Sequence, residues 1–255
     1  MSNIVACYKW VIDEVDIRVH SDLSVDTSRA GGKISEYDKN VIELAVQIAS
    51  ESSGKAVGLT CGDEKTRKSL KDGLSRGLDE TFWVKVAEAD VVDGAVTGRA
   101  LAAGVEALGD VSLVVCAEGA SDTYARQTAP RLGALLDLPV ITSACQVTVS
   151  GTTLSVVRRL EDTLETVQTE LPAVVAVLPE INRPTIPGLR AVMAAGKKPV
   201  TERTATDLGV DMKPASEITG LRGYAQERKN VLIEGEDMPG RVAALVLALK
   251  KEGVI

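Results

Sequence analysis

The chain is poor in the residues that build metal centres. Among its 255 residues there is one histidine, His20, and there are four cysteines, at 7, 61, 116 and 145, with neither a CxxC pair nor Cys/His ligand spacing. No metal site is expected, which argues against structural zinc and iron-sulfur chemistry and leaves the cysteines as free thiols buried at or near strand ends. Long apolar runs are missing too: no window approaches the roughly 18 consecutive apolar residues of a membrane span. The one apolar run between Met1 and Ile12 is broken by Asn3 and Lys9, so no secretion signal is expected and the chain is assigned to the cytoplasm. Positive charge is in deficit, with a net charge of -7, which argues against a nucleic-acid surface. Neither GxGxxG nor GxxxxGK[ST] occurs, so neither a dinucleotide fingerprint nor a phosphate-transferring loop is supported. Nor are there clustered catalytic acids and bases of the kind a stand-alone enzyme needs.

What is present is a soluble α/β pattern, 45% hydrophobic and 25% charged, long enough for a full core. Ile4 to Tyr8 reads as a strand, followed by an excursion through Ala30 to Gly32. Ser35 with Asp38 resembles a capping box opening a helix from about Glu36 to about Ser50, with Val41, Leu44, Ala45 and Ile48 at helical spacing. Lys55 to Thr60 is a second strand, Cys61-Gly62 its turn, and Asp63 to Arg76 a charged helix stopped at Gly77. Thr81 to Val86 is a third strand, and Asp90 opens a long helix ending near Gly109. Leu113 to Ala117 is a fourth strand. Four strand-helix units in succession require right-handed crossovers and a parallel sheet.

The fourth strand leads into a small and polar bend and then a helix. Gly119 and Ala120 let a ligand approach the backbone, while Ser121, Asp122, Thr123 and Thr128 offer hydroxyl or carboxylate partners beside helical N-H groups. Pro130 allows a regular helix to start near Thr128 or to kink there. Ligands of open parallel sheets sit beyond the carboxyl ends of the strands. Four segments meet that edge: Cys7 to Lys9, Ser35 to Asp38, Cys61-Gly62 and Ala117 to Thr128. A plain connection between strand and helix would read the same way.

Past Pro139 the pattern changes to Cys145–Val149, Leu154–Arg158, Leu164–Leu171 and Ala173–Val177, read as hairpins. LRAVMAA at 189–195 can form two helical turns, and apolar Ile186, Leu189, Val192 and Met193 beside basic Arg190, Lys197 and Lys198 suit either a docking surface or a helix burying its apolar side. From Thr201 on, a loop-rich beginning precedes a strand at Asn230 to Glu234 and a helix from about Pro239 to Lys251, capped by Asp237.

Taken together, RRLEDTLETVQTELPAVVAV (158–177), INRPTIPGLRAVMAAGKKP (181–199), CYKWVID (7–13) and LSRGLDE (74–80) resemble the beta subunit of electron transfer flavoprotein, nearest its Fix-type and carnitine-pathway branch. The resemblance spans nearly the whole chain, and departs from the family pattern at Thr163 and Arg159. It implies a Rossmann-like, adenine nucleotide alpha hydrolase-like domain over residues 1–200 and an arm over 201–255 that packs on a larger alpha subunit. It implies an electron-transfer subunit rather than a stand-alone catalyst, carrying AMP, or a second FAD in electron-bifurcating members, while the alpha subunit holds a redox-active FAD. The nucleotide contacts it implies fall on Cys7, Ser35, Glu36, Tyr37, Asp38, Cys61, Ala117, Glu118, Gly119, Ala120, Ser121, Asp122, Thr123, Tyr124, Ala125, Arg126, Gln127 and Thr128. Bulky Tyr124 and Arg126 favour AMP. The partner-recognition residues it implies are Ile186, Leu189, Arg190, Met193, Lys197 and Lys198, facing a flavin dehydrogenase such as acyl-CoA dehydrogenase, with a quinone reductase or ferredoxin as acceptor. An adenine-nucleotide sensor without a redox partner is the competing reading of the residues.

Overall fold

The computed structural model describes residues 2–86, 93–225 and 228–255. β1 (Asn3–Cys7) opens the chain. An excursion with four short strands follows, β2 (Trp10–Ile12), β3 (Arg18–Val19), β4 (Val25–Asp26) and β5 (Gly32–Ile34). Then come α1 (Glu36–Ser52), β6 (Lys55–Gly62), α2 (Arg67–Ser75), β7 (Glu80–Lys85), α3 (Gly94–Leu108), β8 (Val111–Ala117) and α4 (Thr128–Leu136). The remainder holds β9 (Val140–Ser150), β10 (Thr153–Arg159), β11 (Leu164–Glu170), β12 (Ala173–Val177), α5 (Leu189–Ala195), β13 (Val200–Thr204) and α6 (Met238–Lys251).

Nine strands form one sheet in the order β11-β10-β9-β12-β8-β1-β6-β7-β13. The pairs from β9 through β13 are parallel, and β10 and β11 extend the sheet antiparallel at the β9 edge. Successive side chains of a strand point to opposite faces. Ile4, Ala6 and Tyr8 therefore join Val41, Ile42, Leu44, Ala45 and Ile48 of α1 on one side. Val5 and Cys7 join Leu101 and Val105 of α3 and Leu132 of α4 on the other. Both faces are covered, as a Rossmann-like α/β fold requires.

Several sequence expectations are corrected. Ala173–Val177 is not part of a hairpin but β12, parallel to both β8 and β9. Its five residues are all buried, and an apolar run without alternation marks a strand covered on both faces. Cys61 and Gly62 lie inside β6 and pair with Val84 and Lys85 rather than forming a turn. Asp90 lies outside the described residues; α3 begins at Gly94, capped by Asp93. Asn230–Glu234 forms no strand, and Asn230 has φ 45°, which breaks an extended run. Of the two readings of Pro130, the helix start near Thr128 is the one observed, since α4 begins at Thr128.

The sheet continues past residue 200 through β13, which pairs with β7. The chain after it stays tied to α3. Buried Asp93 accepts hydrogen bonds from the Ala95 and Val96 amides and from the Ser216 hydroxyl and the Ala215 and Ser216 amides. The Ser216 hydroxyl above all, with the Val96, Ala95 and Ser216 amides, holds its carboxyl well below the usual range. Arg99 donates to the carbonyls of Asp211 and Lys213. Farther on, α6 has no buried residue, although it carries Val242, Leu245, Val246 and Leu247.

Gly104 marks where α3 rests on the sheet. A Cβ there would stand 2.8 Å from Leu59 Cδ1 and 3.2 Å from Val84 Cγ2, and both neighbours are fully buried. Alanine gains about 1 kcal/mol of helix propensity over glycine, against roughly 1 to 3 kcal/mol for overpacking a filled core. Gly104→Ala should therefore lower the urea midpoint with an unchanged slope. A midpoint equal to the parent's or higher would show that α3 can shift freely on the sheet.

Candidate functional site

β1 stands at the centre of the winding. The chain steps from β1 to β6 and β7 on one side, then crosses back to place β8 on the other, so the order reverses between β1 and β8. Such a reversal splays the two connections and opens a crevice at the carboxyl ends of the strands. Cys7 ends β1 and Ala117 ends β8, and the first turn of α1 points its amides towards the same edge.

Hydrogen bonds knit three of the expected segments together here. The Ser121 amide donates to Ser35 Oγ at 3.1 Å. The Lys9 amide donates to Asp38 Oδ2 at 2.8 Å, and Lys9 Nζ lies 2.5 Å from Asp122 Oδ2. The rings of Tyr37 and Tyr124 meet edge to face with centroids 5.5 Å apart. Sequence reasoning placed Lys9 at this edge but not among the site residues, although a lysine immediately after a buried strand was the available signal. The capping-box reading is overturned: Ser35 occupies the N-cap position but makes no side-chain cap bond, because its hydroxyl faces Ser121, and the Asp38 carboxylate faces Lys9.

The other expected residues divide. Glu36 is exposed and pairs with Lys39 at 2.7 Å. Glu118 turns away from the crevice to accept the Ser143 amide at 2.9 Å, tying the bend to β9. Gln127 turns to Arg131 at 3.2 Å, and Thr128 opens α4. The Arg126 guanidinium lies over the Tyr124 ring at 4.9 Å, and Tyr124 and Arg126 both adopt positive φ, 48° and 56°. Tyr124 covers Gly119, where a Cβ would stand 2.7 Å from its Cδ2, so that glycine accommodates the tyrosine ring in this arrangement. Ala120 accepts the Tyr124 amide, Thr123 bonds back to Asp122, and Ala125 is exposed between the two positive-φ residues.

Burial decides the chemistry. The Ser121 hydroxyl oxygen is buried without a hydrogen-bond partner, a vacancy in bonding that a ligand group can fill. Burial pushes the Asp38 carboxyl up to about 7, with the Lys9 amide and charge opposing the shift. The Cys7 thiol is raised by its hydrogen bond with Cys116 and by burial, and burial pushes Cys61 up to about 12. Thiols held neutral are poor nucleophiles. Among the described residues no group of three or more potential ligands could hold a metal ion. The crevice is equipped to bind, through amides, hydroxyls and one titrating carboxyl.

The expected recognition residues occupy a separate surface, the loop after β12 together with α5. Ile186, Leu189 and Met193 are 89%, 77% and 70% exposed, and Ala195 is the one buried residue of α5. α5 does turn one side inward, with Val192 half-buried and Ala195 buried as the helix packs on α2, but Ile186, Leu189 and Met193 stay outside that contact. Arg190 and Lys197 are exposed beside them. Lys198 differs, because its ammonium donates to the carbonyls of Leu74 and Leu78 at the end of α2.

The electron transfer flavoprotein domain matches residues 22–208 of this chain. The matched span contains α1, the bend from Ala117 to Thr128, and α5, while Cys7 and Lys9 precede it and α6 follows it.

Asp38 yields a pH prediction. Its carboxyl rises from an ordinary 3.8 to about 7 on folding, so between those values the folded chain holds more protons than the unfolded one. Stability from this group is then greatest at low pH and declines as pH rises through the window. Asp38→Asn keeps an oxygen for the Lys9 amide and removes the titration. The variant's urea midpoint minus the parent's should therefore grow from about pH 4 to about pH 7 and level off above; a difference that does not change with pH would mean that folding leaves the Asp38 carboxyl at its ordinary value.

Proposed function

Because the chain belongs to the electron transfer flavoprotein family, we propose that it is the beta-type subunit of a heterodimer, of the Fix-type and carnitine-pathway branch, and that the β1/β8 crevice carries AMP. The observation that carries this reading is the convergence of Ser35, Asp38 and Ser121 on one crevice, with the Ser121 hydroxyl oxygen left unpartnered. Ser35, Asp38, Lys9 and Ser121, with the first amides of α1, are the groups that would hold the nucleotide. AMP is favoured over a second FAD because the Tyr124 ring, with the Arg126 guanidinium over it, occupies space beside Gly119 that a bulky flavin ring would need.

In this reading the electrons move through an FAD held by the alpha subunit, and this chain braces that subunit. The unburied α6, with Val242, Leu245 and Val246 on its surface, supports an arm that the alpha subunit covers. The exposed Ile186, Leu189 and Met193 support a transient contact with a flavin dehydrogenase such as acyl-CoA dehydrogenase, with a quinone reductase or ferredoxin on the accepting side.

Cofactor content tests the first part. Purified together, the two subunits should yield one FAD and one AMP per heterodimer; two FAD would indicate an electron-bifurcating subunit, and no bound nucleotide would refute the crevice as its site.

Leu189 tests the second part. Filling an apolar pocket with one leucine is worth about 1.5 to 3 kcal/mol, so Leu189→Ala should lower electron transfer from an acyl-CoA dehydrogenase by about ten- to a hundredfold. Being 77% exposed, Leu189 should leave the melting temperature and the nucleotide content unchanged when replaced. Loss of activity in proportion to lost stability would sink the docking role.

A further inference from the structure

Asn40 is, with Asp38, one of the two buried polar residues of α1, and it is 6% exposed. Burying an amide is costly unless its hydrogen bonds are made, and those of Asn40 go to one place. The two hydrogens of its Nδ2 are shared among three acceptors, the Pro179 carbonyl at 2.8 Å, the Asn182 carbonyl at 2.9 Å and Asn182 Oδ1 at 3.0 Å. Asn182 Nδ2 returns a bond to the Asn40 carbonyl at 3.0 Å. One turn along α1, Glu43 Oε2 accepts the Thr185 amide at 3.0 Å. At the other end of the same segment, Lys198 is fixed by the Leu74 and Leu78 carbonyls. Between these anchors Ile186, Leu189 and Met193 stand in solvent.

We propose that Asn40, paired reciprocally with Asn182, is the positioning residue of the docking segment, and that Lys198 holds its far end, so that Leu189 is presented in one conformation. α5 itself packs on α2 through Ala195, and the two anchors fix the loop that leads into the helix and the end that leaves it. Lys198 is thereby an internal brace rather than a contact for the partner. A segment held in its docking conformation loses less freedom on association. The consequence for docking rests on the function proposed above.

Trypsin offers the test, since Arg190 lies within the segment and Lys229, exposed in a loop and followed by Asn230, lies outside it. On the full chain, Asn40→Ala and Asn182→Ala should each speed cleavage after Arg190 by roughly tenfold, and the double variant should be no faster than the quicker single, because both residues belong to one pair. Cleavage after Lys229 should not change. Should Asn40→Ala fail to fold, Asn182→Ala, on the half-buried side of the pair, carries the test alone. An unchanged rate after Arg190, or equal acceleration after Arg190 and Lys229, overturns the proposal. In the acyl-CoA dehydrogenase assay, Asn182→Ala should raise the KM for that partner several-fold with kcat kept, and add nothing in a Leu189→Ala background. A full additional effect in that background would overturn positioning of Leu189. If Leu189→Ala has no effect in that assay while cleavage after Arg190 accelerates, the docking reading fails and the anchor stands.

Discussion

The structure depends on one constraint: a parallel sheet must be covered on both faces. β1 meets it by sending Ile4 and Ala6 towards α1 and Val5 and Cys7 towards α3 and α4. Helices can reach both faces only if the winding reverses, and the reversal falls between β1 and β8. The crevice is thus a by-product of covering the core. Its position follows from the same apolar run that makes Asn3–Cys7 a buried strand.

This is why so much of the site was legible in the sequence. The unbroken apolar run at 113–117, with small or polar residues after it, and the strand pattern at 55–60 identified the sheet edge and the segments that meet there. The same signal was present in Ala173–Val177 and was read as a hairpin, because its neighbours alternate and Pro172 precedes it. Five buried residues without alternation outweigh that context. At Asn230–Glu234 the error ran the other way: strand-like composition had no neighbouring strand to pair with, and propensity alone does not make a sheet.

What escaped the sequence were polar pairings across long stretches of chain. Asn40 meets Asn182 across 142 residues, Asp93 meets Ser216 across 123, and Lys198 meets Leu78 across 120. Local spacing carries no record of such contacts. Ser35 and Asp38 illustrate the ambiguity from the other side. Their spacing fits a cap, but a serine and an aspartate near a helix start can serve another segment equally well, and here Ser121 and Lys9 claim them. A buried polar residue on an apolar helix stripe, as at Asn40, is the residual clue, since it must find a partner somewhere.

The proposed nucleotide would be an anion in a chain of net charge -7, so the charges around the crevice bear on it. Four carboxylates border the crevice, and left free they would repel a phosphate. Asp122 is neutralised by Lys9 and Glu36 by Lys39. Glu118 is directed at the Ser143 amide, away from the opening. Asp38, the buried one, is shifted to about 7 and so carries a proton part of the time near neutrality. With its negative charges paired, turned away or protonated, the edge retains the positive end of α1 and the Ser121 hydroxyl as its outstanding polar features. Under the proposed reading, an acidic protein holds a nucleotide phosphate here without a basic patch, and no cluster of lysines and arginines is needed to form the site.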